Sequence, residues 1–203
     1  LSGLYSVNAR KGGNVSPIPA DHSQNQTGIW PKKVVNYKTV MSDAASGFTS
    51  VTYPFPVIRM ADLYLMYAEA LNEKGEDYAT VLPWIDMVRE RSGLQGVKES
   101  WDQYVGNSKY ATQTGLRQII MQERRIELAF EGHYFWDVRR WKTATTELTQ
   151  PLTGWKVRYG ETDVDYYSEN LVLVRDFTPK MYFWPIDIGE LRKDPNLVQN
   201  YGW

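Results

Sequence analysis

The stretch Gln122–Lys142, QERRIELAFEGHYFWDVRRWK, decides how the chain is read. Four acids, four arginines and a lysine surround the single Gly132, with aromatic and large aliphatic residues between them. Glu123, Glu127 and Glu131 recur every four residues, which stacks them on one helix face where like charges repel. Cations must face them. Arg124 reaches Glu127 at i+3; the other donors come from elsewhere, either Arg139 and Arg140 past Gly132 or Arg59, Arg89 and Arg91 from an upstream helix pair. Arginine suits the role because its planar fork bridges two carboxylates. The stretch therefore reads as a structural ion-pair hub of Arg59, Glu123, Arg124, Glu127, Glu131, Asp137, Arg139 and Arg140. It sits on a helical hairpin. Thr112 or Thr114 opens a helix through Leu116, Ile119, Ile120, Ile126 and Phe130, Gly132 stops it, and His133 to about Thr143 returns.

Working upstream, Val57–Lys74 spells the clearest helix, with Arg59, Asp62, Met66, Glu69 and Glu73 on a narrow stripe and an apolar remainder. Such a helix is expected to be buried on more than one side. Gly75 ends it, and Asp77 or Thr80 caps a second helix to Arg91 before Gly93. Pro83 marks that helix's first turn or bends it. Residues 94–113 read as a linker. Upstream again, 1–56 is rich in turn residues and reads as loop, with an edge strand at best around Val34, Val35 and Tyr37. Downstream, 146–203 reads as loops and short strands: alternating Trp155, Val157 and Tyr159, the run Leu171–Val174, and Tyr182–Pro185. A capping box at Asp187 and Glu190 starts one helical turn. The expected fold is mainly α, with tetratricopeptide-like helical hairpins, loop-rich excursions and a few short strands. As a domain, 1–203 divides into a loop-rich lead-in (1–56), two helical hairpins (57–145) and a strand-and-loop tail (146–203).

Composition removes several functions. With 23 Lys and Arg against 24 Asp and Glu, the net charge of −1 offers no field for nucleic acid or an anionic bilayer. The absence of cysteine excludes thiolate metal sites and Cys nucleophiles. His22 and His133 belong to no ligand-spaced motif, and no phosphate-cradling or nucleophile-elbow motif occurs, so no metal or cofactor is expected. No apolar run approaches the length of a membrane span. Glu127 and Glu131 have a separation compatible with an acid–base pair in glycoside hydrolysis, which is one alternative reading. A helix-pair scaffold for protein interaction is another. Aromatic residues, by contrast, are abundant at 14 %. Aromatic faces fill cores, and Trp and Tyr faces exposed on loops also stack on sugar rings and nucleobases.

Several ordered motifs resemble the C-terminal half of SusD/RagB-type proteins. They are PFPVIRMADLYLMYAEA (Pro54–Ala70), VRERSGL (Val88–Leu94), ERRIELAFEG (Glu123–Gly132) with WDVRRW (Trp136–Trp141), WPID (Trp184–Asp187) and NLVQN (Asn196–Asn200). TGIWPKK (Thr27–Lys33) is a weaker match. The resemblance implies tetratricopeptide-like helix pairs and a non-catalytic, surface-exposed outer-membrane lipoprotein of Bacteroidota. Such a protein binds glycans through loop aromatics and delivers them to a SusC-like TonB-dependent transporter, which makes Trp30, Trp101, Tyr104, Trp155 and Tyr159 the candidate ligand-binding residues, with packing in a core or hairpin as the alternative for each. Two departures matter. Family members are usually more than twice as long and carry a lipobox cysteine, so membrane contact is expected only through a lipid anchor outside this chain. Tyr134 also stands where arginine is frequent, which is expected to weaken one ion pair of the hub.

Overall fold

A computed structural model describes residues 27, 31, 33, 35–41, 48–156 and 162–203. The chain divides into two compact units, Thr52–Trp136 and Leu1–Val51 with Asp137–Trp203.

In the first unit, two prolines at Pro54 and Pro56 keep the lead-in extended, and Arg59 is still extended at φ −139°. Helix α1 therefore spans Met60–Lys74, later than the apolar pattern suggested. It stops where Gly75 turns left-handed at φ +89° and donates back to Asn72 and Leu71. Helix α2, Tyr78–Arg91, starts at Asp77, whose carboxylate accepts the Thr80 N–H at 2.9 Å. Of the two places open to Pro83, the structure gives the one inside the helix, in its second turn rather than its first, where it has no N–H to donate.

Residues 94–113 are more ordered than a linker. They form helix α3 (Val97–Ser100), a π-helical turn (Trp101–Val105) and a short 3-10 turn (Lys109–Ala111). Val97 is fully buried, and its N–H is capped by Asp86 at 2.7 Å, a long-range contact that no local pattern announces. Helix α4, Gln113–Glu127, opens at Thr112, whose hydroxyl accepts from Gly115 N–H at 3.1 Å. A side chain at Gly115 would put its Cβ 2.0 Å from the Lys109 carbonyl, so this close approach requires glycine.

Helix α4 packs on both α1 and α2. Leu65 and Ala68, then Val81, Leu82, Ile85 and Val88, then Leu116, Ile119 and Ile120 interdigitate as the core, closed by Val97 and Tyr110. Burying each large aliphatic side chain contributes about 1.5–3 kcal/mol. As expected, α1 is buried on more than one side, against α2 and α4, while Met60, Leu63, Met66 and Tyr67 remain 41–55 % exposed. Helix α4 ends at Glu127, one turn before Gly132. Ile126 and Phe130 are exposed rather than core, and Phe130 adopts φ +65° in the turn.

In the second unit, β1 (Val40–Met41) pairs antiparallel with β2 (Phe48–Thr49), so the early strand lies downstream of Val35 and Tyr37, which are exposed. Helix α5 spans His133–Arg140 and crosses from one unit into the other. Helix α6 (Ala144–Glu147) follows. Strand β3 (Leu152–Trp155) pairs antiparallel with β4 (Glu169–Leu173), and helix α7 (Asp163–Tyr166) stands between them. Val157 and Tyr159 lie outside the described residues. Tyr182–Pro185 is not a strand: Pro179–Tyr182 is a 3-10 turn, and the chain after it is irregular. Its backbone is instead tied to the tail by side chains. Gln199 bonds both the N–H and the carbonyl of Ile186, Asn200 donates to the Trp184 carbonyl, and the Trp203 indole donates to Lys180 and Phe183. Helix α8 (Ile188–Lys193) begins at Asp187, which accepts from Gly189 N–H at 2.7 Å.

Candidate functional site

The charged hub is built by the extended start of α1 meeting the end of α4. Arg59 donates to Glu127 Oε1 at 2.5 Å, to Glu131 at 2.6 and 2.8 Å, and to the Glu127 carbonyl at 2.6 Å. Partial burial works against the Arg59 charge, but the bonds and charges of Glu131 and Glu127 outweigh it and raise its pKa. Arg91 adds a second bond to Glu127 at 2.6 Å, and Arg89 pairs with Glu123. Glu131 is not on the helix face with Glu127, because α4 has already ended; the turn through Phe130 brings it back to the same guanidinium. Both carboxylates are turned onto arginines and are about 10–13 % exposed. The arrangement ties α1 to α4.

Arg124 points the other way, into the core. It donates to Asp62 at 2.9 Å with its side chain 3 % exposed, so the stripe residue Asp62 faces α4 rather than water. Tyr134 receives the Arg125 guanidinium 5.0 Å above its ring, a cation–π contact at the position where an arginine was the family expectation. In the other unit, Asp137 is buried and accepts from Arg140 at 2.8 Å. Arg139 donates to the Met181 and Tyr182 carbonyls and lies over the Phe177 and Trp184 rings. It thus anchors the 3-10 turn.

The aromatic candidates separate into three groups. Trp30 and Tyr159 lie outside the described residues. Trp101 and Tyr104 share the π-helical turn. Trp101 packs against the core with Lys109 5.5 Å from its ring centre, whereas Tyr104 is 72 % exposed. Beside this turn lies an open depression of about 660 Å³ lined by Asp86, Gly96, Lys98, Glu99, Asp102 and Gln103. Burial raises the Asp86 pKa, opposed by the Val97 N–H and by Arg89. Lys98 and the Tyr110 hydroxyl bond Asp102 and lower its pKa.

Trp155 forms the third group. It ends β3, with its N–H bonded to the Thr27 carbonyl at 3.0 Å, and Gly154 gives the room for that approach, since a Cβ there would lie 2.7 Å from the Thr27 Cα. The Lys156 N–H donates to the Tyr166 carbonyl at 3.0 Å, which fastens the strand end to α7. Thr162 caps α7 by accepting from Asp165 N–H, and this turns Tyr166 inward while Tyr167 faces out. Tyr167 meets the Trp155 ring at 5.5 Å and 81°. Sequence reading passed over Tyr167. The signal for it was the Tyr166-Tyr167 doublet behind a Thr-x-x-Asp cap, which places one ring in and the next out.

Among the described residues, no group of three or more His, Cys, Asp or Glu could hold a metal ion, and no helix is long and apolar enough to cross a membrane.

A mainly helical unit of packed hairpins, with aromatic residues carried on irregular segments, defines the class. Residues 9–203 match the model of the SusD family, and the chain belongs to that family. It is 39 % identical to a SusD-like protein of Formosa agariphila over 144 residues, 71 % of this chain and 23 % of that protein. A second SusD-like protein of the same organism is 29 % identical over 140 residues, 68 % of this chain and 27 % of the relative. Among solved structures, a SusD-like carbohydrate-binding protein from Bacteroides fragilis superposes with TM-score 0.55 at 32 % identity, over 70 % of this chain and 28 % of that one. Another SusD-like protein from Bacteroides fragilis gives TM-score 0.56 at 30 % identity, over 70 % and 25 %. The chain spans about a quarter of the length of these relatives.

Proposed function

We propose that the protein is a non-catalytic glycan-binding component at the bacterial cell surface, handing its ligand to a SusC-like TonB-dependent transporter. The observation that carries this reading is membership of the SusD family over residues 9–203, with a carbohydrate-binding relative from Bacteroides fragilis sharing the fold. In this reading the chain is a C-terminal domain of a surface-exposed outer-membrane lipoprotein, whose contact with the membrane is a lipid anchor outside these residues. Trp101, Tyr104 and Trp155 remain the described candidates for contact with sugar, and the hub is scaffold. The local chemistry agrees with that division. Glu127 and Glu131 are engaged by Arg59, whereas Tyr104 on the π-helical turn and Trp155 at a strand end present aromatic faces to solvent. Flat indole and phenol faces pack against the C–H face of a pyranose and stay selective through surrounding hydrogen-bonding groups.

The transport half of the proposal has a direct test. The tagged protein, expressed in its source organism and purified from detergent-solubilised outer membrane, is expected to bring a TonB-dependent transporter with it in comparable amount. Recovery of the protein alone, under conditions that keep other transporter complexes intact, would contradict delivery to such a partner.

A further inference from the structure

The corner made by Trp155 and Tyr167 is preformed. The Trp155 N–H is held by the Thr27 carbonyl, the next N–H by the Tyr166 carbonyl, and the Tyr167 N–H by the Asp163 carbonyl at 3.0 Å. Behind it, Tyr166 is 7 % exposed and packs edge-on to Tyr167 at 5.0 Å, so Tyr167 cannot fold inward. The two rings remain 37 % and 62 % exposed. Rigid aromatic rings lose little entropy when a ligand covers them. A hydrogen-bonding side chain borders the corner: Glu169 stands directly across the strand pair from Trp155 and is exposed.

Acids outnumber bases among the described residues of the segment that forms the corner: Asp163, Asp165 and Glu169 stand against Lys156. A carboxylate or sulfate ester on a sugar seated against Trp155 would approach Glu169 at cross-strand distance, where like charges repel. A hydroxyl would instead donate to it.

We infer that the Trp155–Tyr167 corner is a subsite for a non-acidic pyranose, one that stacks on the exposed rings and donates hydroxyl hydrogens to Glu169. The inference rests on the glycan-binding reading and names the sugar class for one site. Affinity electrophoresis of the 203-residue chain tests it in gels containing neutral polysaccharides (laminarin, mannan, xylan or starch) or acidic ones (polygalacturonate or carrageenan). The expected result is retention by at least one neutral polysaccharide, with Trp155→Ala and Tyr167→Ala each weakening it about tenfold, in line with the loss of one stacking platform. Trp155→Phe, which keeps a ring, is expected to retain most of the binding and separates lost stacking from lost folding. Acidic polysaccharides are expected to bind at least about fivefold more weakly at low ionic strength, the gap narrowing at about 0.5 M salt because the repulsion is screened. Undiminished neutral binding in both alanine variants would overturn the site while leaving the glycan-binding reading intact. Tighter binding of acidic polysaccharides at low salt would overturn the assigned class, and retention by none would overturn both.

Discussion

Replacing Arg124 by alanine is expected to destabilise the protein by about 3–5 kcal/mol, the usual cost of removing one partner from a buried ion pair. The arginine side chain is 3 % exposed and the Asp62 side chain 12 %, and the 2.9 Å bond joins α4 to α1 in the middle of the helical unit. Without the guanidinium, Asp62 loses a charged donor in a place where water cannot replace it. The loss should shift thermal unfolding by roughly 6–20 °C for a chain of this size. Replacing both partners, Asp62→Leu with Arg124→Met, is expected to recover a large part of the loss, because packed apolar side chains often substitute for a buried pair at little cost. Denaturant unfolding of the single and double variants measures this. A double variant as unstable as Arg124→Ala would contradict it.

Arg59 is expected to have the next largest effect. It bonds two carboxylates and a backbone carbonyl with one fork, and it is about one-fifth exposed, so part of its contribution is screened by water. Arg59→Ala should cost about 2–4 kcal/mol, below the Arg124 value. Arg59→Lys should recover less than half, since an ammonium cannot reproduce three directions of donation from a planar group. The same denaturant titration decides it. Full rescue by lysine would mean that charge alone, and not fork geometry, ties α1 to the end of α4.

These two arginines also show where the sequence was legible and where it was not. Three glutamates at helical spacing demanded cations, and charge balance left two donor sets open, of which Arg59, Arg89 and Arg91 make the bonds while Arg139 and Arg140 bond the 3-10 turn and Asp137. The Arg124–Asp62 pair was not readable, because it depends on how α4 lies across α1, and the i+3 neighbour Glu127 offered a nearer partner. Gly132 looked like the helix stop. The helix ends earlier because the last turn exchanges helical hydrogen bonds for a turn through Phe130 that brings Glu131 to Arg59. Strand-forming residues misled in a different way. Val35, and Tyr182 with Phe183, have the composition of strands, but a strand needs a partner edge, and side-chain amides and an indole from the tail satisfy the Phe183–Ile186 backbone instead. At the aromatic corner, Trp155 was visible from alternation in its own segment. Tyr167 became visible only once α7 had placed it against that ring.

The proposed division between scaffold and binding surface has a physical basis. Charges that hold helices together are consumed by their partners, whereas an aromatic face on a loop is left with solvent on one side. The hub's density of carboxylates and arginines is therefore a poor pointer to chemistry on substrate, despite its resemblance in composition to an active site. The exposed rings at Trp155, Tyr167 and Tyr104 are the better pointer to ligand.

Isothermal titration of the chain against a panel of purified oligosaccharides, with reducing-end release followed in the same samples, tests the central claim most directly. The account predicts saturable binding to at least one oligosaccharide with no increase in reducing ends over hours. Loss of the bound oligosaccharide to hydrolysis, with Glu131→Gln abolishing that hydrolysis while the fold survives, would contradict it.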